Sequence, residues 1–329
     1  MQPPRQFNLG PLEWNPPPPG FDPLTASNDV LDRYHLPLRP DPDRTRESYA
    51  NWIEMMSPPI HFIQAAREQV FTRLAAFRLR PQTPASAQLE FSPNWSGGYI
   101  RPFTGSFASV EGLWRVNDPQ PPPGPLVDGD YRASVWVGLD GHDPASPTLP
   151  QIGTLHEVVV QGGVPQPAQL SAWWQWWLRD VPGQAPISIN GFPIAAEDRI
   201  RAKVIILGRS SARFFLKNMT NGTAAGFDWV DPNNQLSLLE GLTAEWIVER
   251  PTRTGSDQLY VLADYQPFTM RRCNATVGTG SGSYDQDLIG AATIRLAAWD
   301  DPVQPGQIVS TPRLLGRDRL LMRYGDFGP

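Results

Sequence analysis

The stretch Ala244-Glu-Trp-Ile-Val-Glu249 has the alternating pattern of a β-strand. Successive side chains of a strand point to opposite faces, so Glu245 shares one face with Ile247 and Glu249, while Trp246 points to the other. We therefore expect Glu245 to face a cleft and Trp246 to pack inside the protein. Glu249 lies about 13 Å further along the strand, which predicts a position at the rim.

Short apolar runs of similar character fill the chain from about residue 91 onward. They are rich in valine, isoleucine, leucine and aromatic residues, and they cover residues 134–139, 155–160, 200–207, 212–216, 244–248, 259–263, 292–299 and 320–324. Glycine, proline, asparagine or aspartate separates them. Many short strands with turn residues between them predict an all-β sandwich or barrel.

The composition agrees with a folded, β-rich chain. Proline makes up 37 of the 329 residues, about twice its usual share. Because proline removes a backbone donor and breaks helix interiors, this content disfavours a helical bundle. The 12 tryptophans disfavour disorder, because disordered chains are poor in aromatic residues.

Residues 1–90 differ from the rest and are expected to form a proline-rich N-terminal extension. Ile63, Ala66, Val70, Leu74 and Phe77 recur at spacings of three and four. This periodicity predicts one helix over about 59–79, which opens at a proline pair and is stopped by another proline.

The charge and the cysteine count narrow the possible partners. The net charge is −5 without a basic run, so a nucleic-acid partner is not expected. Cys273 is the only cysteine, which leaves no internal disulfide and no cysteine metal site. No stretch is long and apolar enough to predict a membrane span. The first twenty residues show no signal-peptide core, and the compartment stays open.

Common catalytic motifs are missing, but three other segments stand out. The sequence lacks G-x-S-x-G, H-E-x-x-H and the phosphate-binding loop. The three segments are Asn94-Trp-Ser-Gly-Gly98, then Val135-Trp-Val-Gly-Leu-Asp-Gly141 followed by Gln151-Ile-Gly153, and finally Ala244-Glu-Trp-Ile-Val-Glu249. In this order they resemble the eqolisins, the glutamic peptidase family, over about residues 91–329.

The resemblance implies a fold and a reaction. The fold is an antiparallel β-sandwich of two large sheets, similar to legume lectins, with the active site on the concave sheet. The family's catalytic glutamine and glutamate fall on Gln151 and Glu245, and no metal or cofactor is implied. A carboxylate can take a proton from water and return it to the leaving amine, while a glutamine amide can donate to the developing oxyanion. The expected substrate is an extended polypeptide.

The family pattern also places five residues at the cleft. Trp95, Trp136 and Asp140 match residues that wall or brace it, and a like charge on Asp140 is expected to raise the pKa of Glu245. Gln175 stands where the family has a glutamate, and Trp177 where it has a tyrosine. Removing a carboxylate near Glu245 predicts a pH optimum less acidic than is usual for the family.

The N-terminal extension is a second departure from the family. Eqolisins carry a basic, lysine-containing propeptide that blocks the cleft. Residues 1–90 contain no lysine, and nine arginines stand against ten acidic residues. An electrostatic plug is therefore not expected, and a permanent extension is the prediction.

Two other functions fit the same sequence. A non-catalytic module could bind carbohydrate or proline-rich peptide on a sheet lined by Trp173, Trp174, Trp176 and Trp177. A lectin-like glycoside hydrolase would need two carboxylates about 5–10 Å apart, for which Glu245 and Asp140 are the plausible pair.

Overall fold

The computed structural model describes residues 15–64, 66–69, 72–73, 89–179, 184–231, 238–253, 258–300 and 306–327. These residues contain two short helices, α1 (Asn28–Arg33) and α2 (Arg46–Met56), and are otherwise built from strands. The strands are β1 (His61–Phe62), β2 (Ala66–Gln69), β3 (Thr72–Arg73), β4 (Leu89–Ser92), β5 (Trp95–Ile100), β6 (Ser106–Arg115), β7 (Gly129–Leu139), β8 (Thr148–Gln161), β9 (Val164–Pro165), β10 (Gln169–Leu178), β11 (Ile187–Asn190), β12 (Arg199–Gly208), β13 (Ser211–Asn218), β14 (Thr223–Val230), β15 (Ala244–Glu249), β16 (Thr252–Arg253), β17 (Val261–Leu262), β18 (Phe268–Thr279), β19 (Gly282–Gln286), β20 (Ala292–Ala298), β21 (Gln307–Gly316) and β22 (Arg319–Tyr324). The prediction of an all-β fold is confirmed.

The predicted helix over 59–79 is wrong wherever the structure describes this stretch. Strands β1, β2 and β3 occupy it, and residues 65, 70–71 and 74–79 lie outside the described residues. The residues with helical apolar spacing instead form strands that pair with strands distant in sequence. β1 runs parallel to β14, and the N–H of His61 donates to the carbonyl of Gly222 at 2.7 Å.

Both helices lie earlier, in residues 28–56. Ser27 caps α1 by accepting from the N–H of Val30. In α2, Ser48, Trp52, Met55 and Met56 are buried on one side. Their spacing of four, three and one is the signal that could have located this helix from sequence.

The strands divide into two regions, which we name after their central strands. In the β13 region the order is β14–β13–β12–β6–β18–β19, with β1 beside β14. In the β15 region the order is β2–β11–β10–β8–β7–β15–β5–β20. Most pairings are antiparallel, but β1–β14, β7–β17 and β4–β20 are parallel.

Strand β18 joins the two regions into one hydrogen-bonded network of twenty strands. Its first residues, Phe268–Met270, pair with β22, which β21 links to β20 of the β15 region. Arg271 and the part from Asn274 onward pair with β6 of the β13 region. The register with β6 shifts between Arg271 and Asn274, where Arg272 has a positive φ of 54°. The two predicted sheets are therefore continuous with each other.

The main core lies between the two regions. Trp174 of β10 contacts Phe214 of β13 with ring centroids 5.1 Å apart. The Trp246 indole N–H donates to the Glu111 carbonyl of β6 at 2.8 Å, and Trp114 donates to the Thr154 hydroxyl of β8 at 3.0 Å. These contacts fix which face of the β15 region points inward, and the opposite face carries the site.

The N-terminal residues cover the outer face of the β13 region. Phe215 and Ala224 belong to the same apolar cluster as Leu31 and Trp52 of the helices. Beside it, the buried Arg201 guanidinium pairs with Glu111 at 3.1 Å and with Glu54 of α2 at 3.2 Å. Residues 15–62 therefore pack on the side of the β13 region opposite to the main core.

Within the described ranges, neither helix has the length and apolar character needed to cross a membrane.

Candidate active site

Five residues lie in one row across the β15 region. The register pairs Gln175 with Gln151, pairs Gly138 with both Gln151 and Glu245, and pairs Glu245 with Tyr99. Residues that are paired in register point to the same face, so these side chains share the face that is turned away from the main core. We call them the site row, and this face the site face.

A glycine separates the glutamine from the glutamate. Gln151 and Glu245 are two strand spacings apart, roughly 10 Å between Cα atoms. Gly138 puts no side chain between them, and a Cβ there would lie 2.8 Å from Leu149 and 3.0 Å from Trp136. The amide and the carboxyl therefore lie on either side of Gly138, and the side chains of Leu149 and Trp136 pack over this glycine.

The Glu245 carboxyl is completely buried. Its Oε1 accepts the backbone N–H of His142 at 3.1 Å, and its Oε2 has no hydrogen-bond partner in the described part of the chain. Burial raises the pKa of Glu245 from the ordinary 4.5 to about 8. The nearby Thr243 hydroxyl and the His142 N–H oppose this rise in pKa, while the charge of Asp140 adds to it. Burial therefore favours the protonated form of Glu245.

Asp140 holds the loop that leads into β15. Its carboxylate accepts the N–H groups of Glu240 at 2.7 Å, of Gly241 at 3.0 Å and of Leu242. Burial raises the pKa of Asp140, although these N–H groups oppose the rise. The structure thus places Asp140 as a support for Glu245, with its oxygens already occupied, and the predicted contact with substrate stays untested.

Gln151 and Gln175 form a buried amide pair. The Gln151 Nε2 donates to the Gln175 Oε1 at 3.1 Å, while the Gln151 Oε1 and the Gln175 Nε2 are buried and have no hydrogen-bond partner among the described residues. Gln175 is three strands away from Glu245 in the site row. We therefore expect glutamine at position 175 to act on the orientation of Gln151. Its predicted effect on the pKa of Glu245 is not supported by a direct contact between Gln175 and Glu245 among the described residues.

The site face is lined by large apolar side chains. Trp95 and Trp136 meet edge to face with ring centroids 5.0 Å apart. Trp136 donates its indole N–H to Glu249 at 2.8 Å, and Asn94 donates to the same carboxylate at 3.3 Å. Glu249 is completely buried, so its predicted position at the rim is wrong. Its hydrogen bonds to the indole and the amide are what allow burial.

The tryptophan cluster of β10 is divided between the two faces. Trp173 and Trp177 pack with the apolar residues of the site face. Trp174 and Trp176 point into the main core, where they contact Trp229. The platform of four tryptophans required by the binding-module alternative does not form.

Comparison with known proteins gives the family. The profile of the peptidase A4 family matches residues 93–304. This chain belongs to the peptidase A4, or eqolisin, family. As an A4 peptidase it is a glutamic peptidase, and its substrate is a polypeptide. The match includes the β-strands that carry Trp95, Gln151 and Glu245.

Solved structures show the same fold. A crystal structure of scytalido-glutamic peptidase with a transition state analog inhibitor is 18% identical with a TM-score of 0.54. The structure of SCP-B in complex with the tripeptide Ala-Ile-His is 19% identical with a TM-score of 0.50. In both comparisons the match covers 70% of this chain and 98% of the other. No curated protein sequence matches this A4 peptidase.

Three residues at the site of this A4 peptidase were missed by the sequence motifs. Tyr99 ends the site row next to Glu245, and its hydroxyl donates to Glu90 at 2.6 Å. His142 stacks on the Tyr99 ring with centroids 3.6 Å apart. The alternation of β5 from Trp95 through Gly97 to Tyr99 could have predicted that Tyr99 shares the site face.

Proposed function

We propose that Glu245 and Gln151 hydrolyse the peptide bond through a water held between them. The observation that carries this proposal is their alignment in the site row on either side of Gly138. A carboxylate and an amide on either side of one glycine can provide a base for water and a donor for the carbonyl oxygen.

Glu245 is the general base and afterwards the general acid. When ionised, it removes a proton from the water as the water attacks the peptide carbonyl. It then returns that proton to the leaving nitrogen, so the carboxylate is regenerated. The unpartnered Oε2 of Glu245 is free for this exchange.

Gln151 stabilises the oxyanion. Its amide nitrogen carries two hydrogens, and one of them is directed at Gln175. The other is available to the tetrahedral intermediate. Because the pair with Gln175 holds the amide in place, the donor does not need to reorient during the reaction.

Substrate entry requires the site to open. Glu245, Gln151 and Gln175 are each at most 2% exposed, so an extended polypeptide cannot reach them as they stand. Burial is the main cause of the raised pKa of Glu245. Water entering with the substrate therefore lowers this pKa and ionises the base.

The pH dependence of the reaction follows from the ionisation of Glu245. We expect the acidic limb of kcat, which reports the enzyme with substrate bound, to lie between pH 4.5 and about 8, the ordinary and the buried pKa of Glu245. We propose an acidic to mildly acidic optimum, which requires this limb to lie near the lower end of that range. A maximum below pH 3 would contradict this.

The test is cleavage of a denatured protein across pH 2–9 in the presence of pepstatin. We expect endopeptidase activity that Glu245→Gln abolishes and that Gln151→Ala lowers in kcat by about 10²–10³-fold. Glu240→Gln is the matched control, because Glu240 is an exposed glutamate on the neighbouring loop. If Glu245→Gln cleaves like the unmodified chain, the proposed mechanism is wrong.

A further inference from the structure

A cluster outside the motif residues links three strands beside Glu245. Glu90 comes from β4, Tyr99 from β5, and His142 from the loop after β7. The Tyr99 hydroxyl donates to one oxygen of Glu90 at 2.6 Å, and the His142 Nε2 lies 2.8 Å from the other. The rings of His142 and Tyr99 are stacked. Glu90 therefore holds both rings at once.

His142 connects this cluster to the proposed general base. Its ring is bound to Glu90, and its backbone N–H donates to the Glu245 Oε1 at 3.1 Å. The ring and the N–H belong to one residue, so the position of one depends on the position of the other. His142 itself is only 7% exposed.

We propose that Glu90 and His142 form a positioning pair that keeps the His142 N–H on the Glu245 carboxyl. The catalytic consequence rests on the proposed function of Glu245, whereas the positioning does not. A hydrogen bond to the charged form of a carboxyl favours that form. Losing the pair should therefore make Glu245 hold its proton more tightly.

Several charged groups lie near the pair on neighbouring elements. Asp143 of the same loop pairs with Arg101, which follows β5. Asp140 lies beneath the loop and Glu245 on β15. Burial raises the pKa of Glu90, but the hydrogen bonds from His142 and Tyr99 outweigh it and hold that pKa below its usual range. The pair therefore persists at a pH where an ordinary glutamate begins to take up protons.

The experiment reads the Glu245 carboxyl directly. The intact chain is labelled with ¹³C at glutamate carboxyls and titrated by NMR, and Glu245→Gln assigns the signal by its disappearance. We expect Glu90→Ala and His142→Ala each to raise the pKa of Glu245 by roughly 0.5–1 unit. Because the two act as a unit, the double variant should shift it no further than either single variant.

The direction of the shift separates positioning from a plain charge effect. Removing the negative charge of Glu90 would by itself lower the pKa of Glu245, so a rise identifies the lost N–H. Asp143→Asn is the matched control, because it breaks an ion pair of the same loop without touching Glu245, and no rise is expected. Glu90→Gln is the milder variant if Glu90→Ala does not fold.

Two results would overturn the positioning pair. One is an unchanged or lowered pKa of Glu245 in both single variants, and the other is two shifts that add in the double variant. The acidic limb of kcat/KM should move with the NMR value. If the NMR value moves and the limb does not, the pair stands and the proposed role of Glu245 fails.

Discussion

Glu245 and His156 are both buried, yet burial moves their proton equilibria in opposite directions. A carboxyl is neutral when protonated, so burial raises the pKa of Glu245 to about 8. An imidazole is neutral when deprotonated, so burial lowers the pKa of His156 to about 4. Both groups are neutral over the pH range between these values, and each should leave its own mark on stability.

Glu245 should reduce stability as the pH rises. Its folded pKa lies above the ordinary 4.5, so its contribution is complete below pH 4.5 and is lost as the pH rises through about 8. Each pKa unit is worth about 1.4 kcal/mol. Glu245→Gln is neutral throughout, so its Tm should fall less between pH 4.5 and 9 than that of the unmodified chain. Glu240→Gln should keep the full decline, and identical curves for all three proteins would refute this.

His156 should reduce stability as the pH falls. Its folded pKa lies below the ordinary 6.5, so the unfolded chain takes up its proton first, and stability is lost between pH 6.5 and about 4. His156→Gln should lessen this loss when Tm is followed over that range. The exposed His61 provides the control, and His61→Gln should behave like the unmodified chain. An equal acid loss in the His156 and His61 variants would show that His156 is not responsible.

The position of a single residue could be predicted from the sequence where a motif or the alternation of a strand included it. The alternation of β15 correctly separated Glu245 from Trp246. It could not foresee that Glu249 is buried, because Trp136 of β7 and Asn94 of the bend before β5 reach it. The Glu90–His142 contact joins residues 52 positions apart, and no local pattern contains it.

At the scale of strands, glycines make room for the site. Gly153 of β8 lies in register between Trp173 of β10 and Trp136 of β7. A Cβ at Gly153 would come within 2.1 Å of the Val135 carbonyl oxygen and 2.6 Å of the Trp136 Cβ. Three neighbouring strands can carry two indoles on one face because the middle strand has no side chain there.

Gly153→Ala should therefore destabilise the protein. The nearest atom belongs to the backbone, so the strands must move apart, and we expect a loss of about 1–3 kcal/mol or more. Denaturant unfolding measures it. Gly280→Ala is the control, since a Cβ at Gly280 meets nothing within 4 Å. Equal stability of the two variants would show that β8 adapts without cost.

Elements were predictable when their pattern was not overridden by distant pairing. The runs of 134–139, 200–207 and 244–248 all lie in strands. The apolar spacing of 59–79 matches the period of a helix, but β1 in this stretch pairs with β14, some 160 residues away. This pairing is a long-range contact, which the periodicity of a local segment cannot predict.

At the scale of the whole molecule, residues 15–62 pack on the side of the β13 region opposite to the main core, away from the site face. We propose that residues 15–62 are a permanent part of the fold. Lys217 of β13 donates to the carbonyls of Met55 at 2.9 Å and Ser57 at 2.7 Å, and Arg201 pairs with Glu54. Removing these partners would strip the buried Lys217 ammonium of both carbonyls and leave Arg201 with Glu111 alone, which typically costs several kcal/mol.

Cutting and deleting this segment should therefore have different effects. A specific protease site placed in the exposed stretch 41–44 should allow cleavage while the first fragment stays bound and the activity persists. A chain without residues 1–57 should not fold. Copurification of the fragments, circular dichroism and activity distinguish these outcomes. A deleted chain that folds and cleaves normally would instead identify the segment as dispensable.

The bend of β18 at Arg272 determines how this protein can be divided. One strand supplies hydrogen bonds to the β15 region with its first residues and to the β13 region with the rest. Strand β18 therefore belongs to both regions. Replacing one region by its counterpart from a relative would require a cut within this shared strand. In chimeras between such peptidases, the smallest part that can be transplanted is the joined pair of regions, and hybrids with a crossover inside β18 should fail even when every site residue is retained.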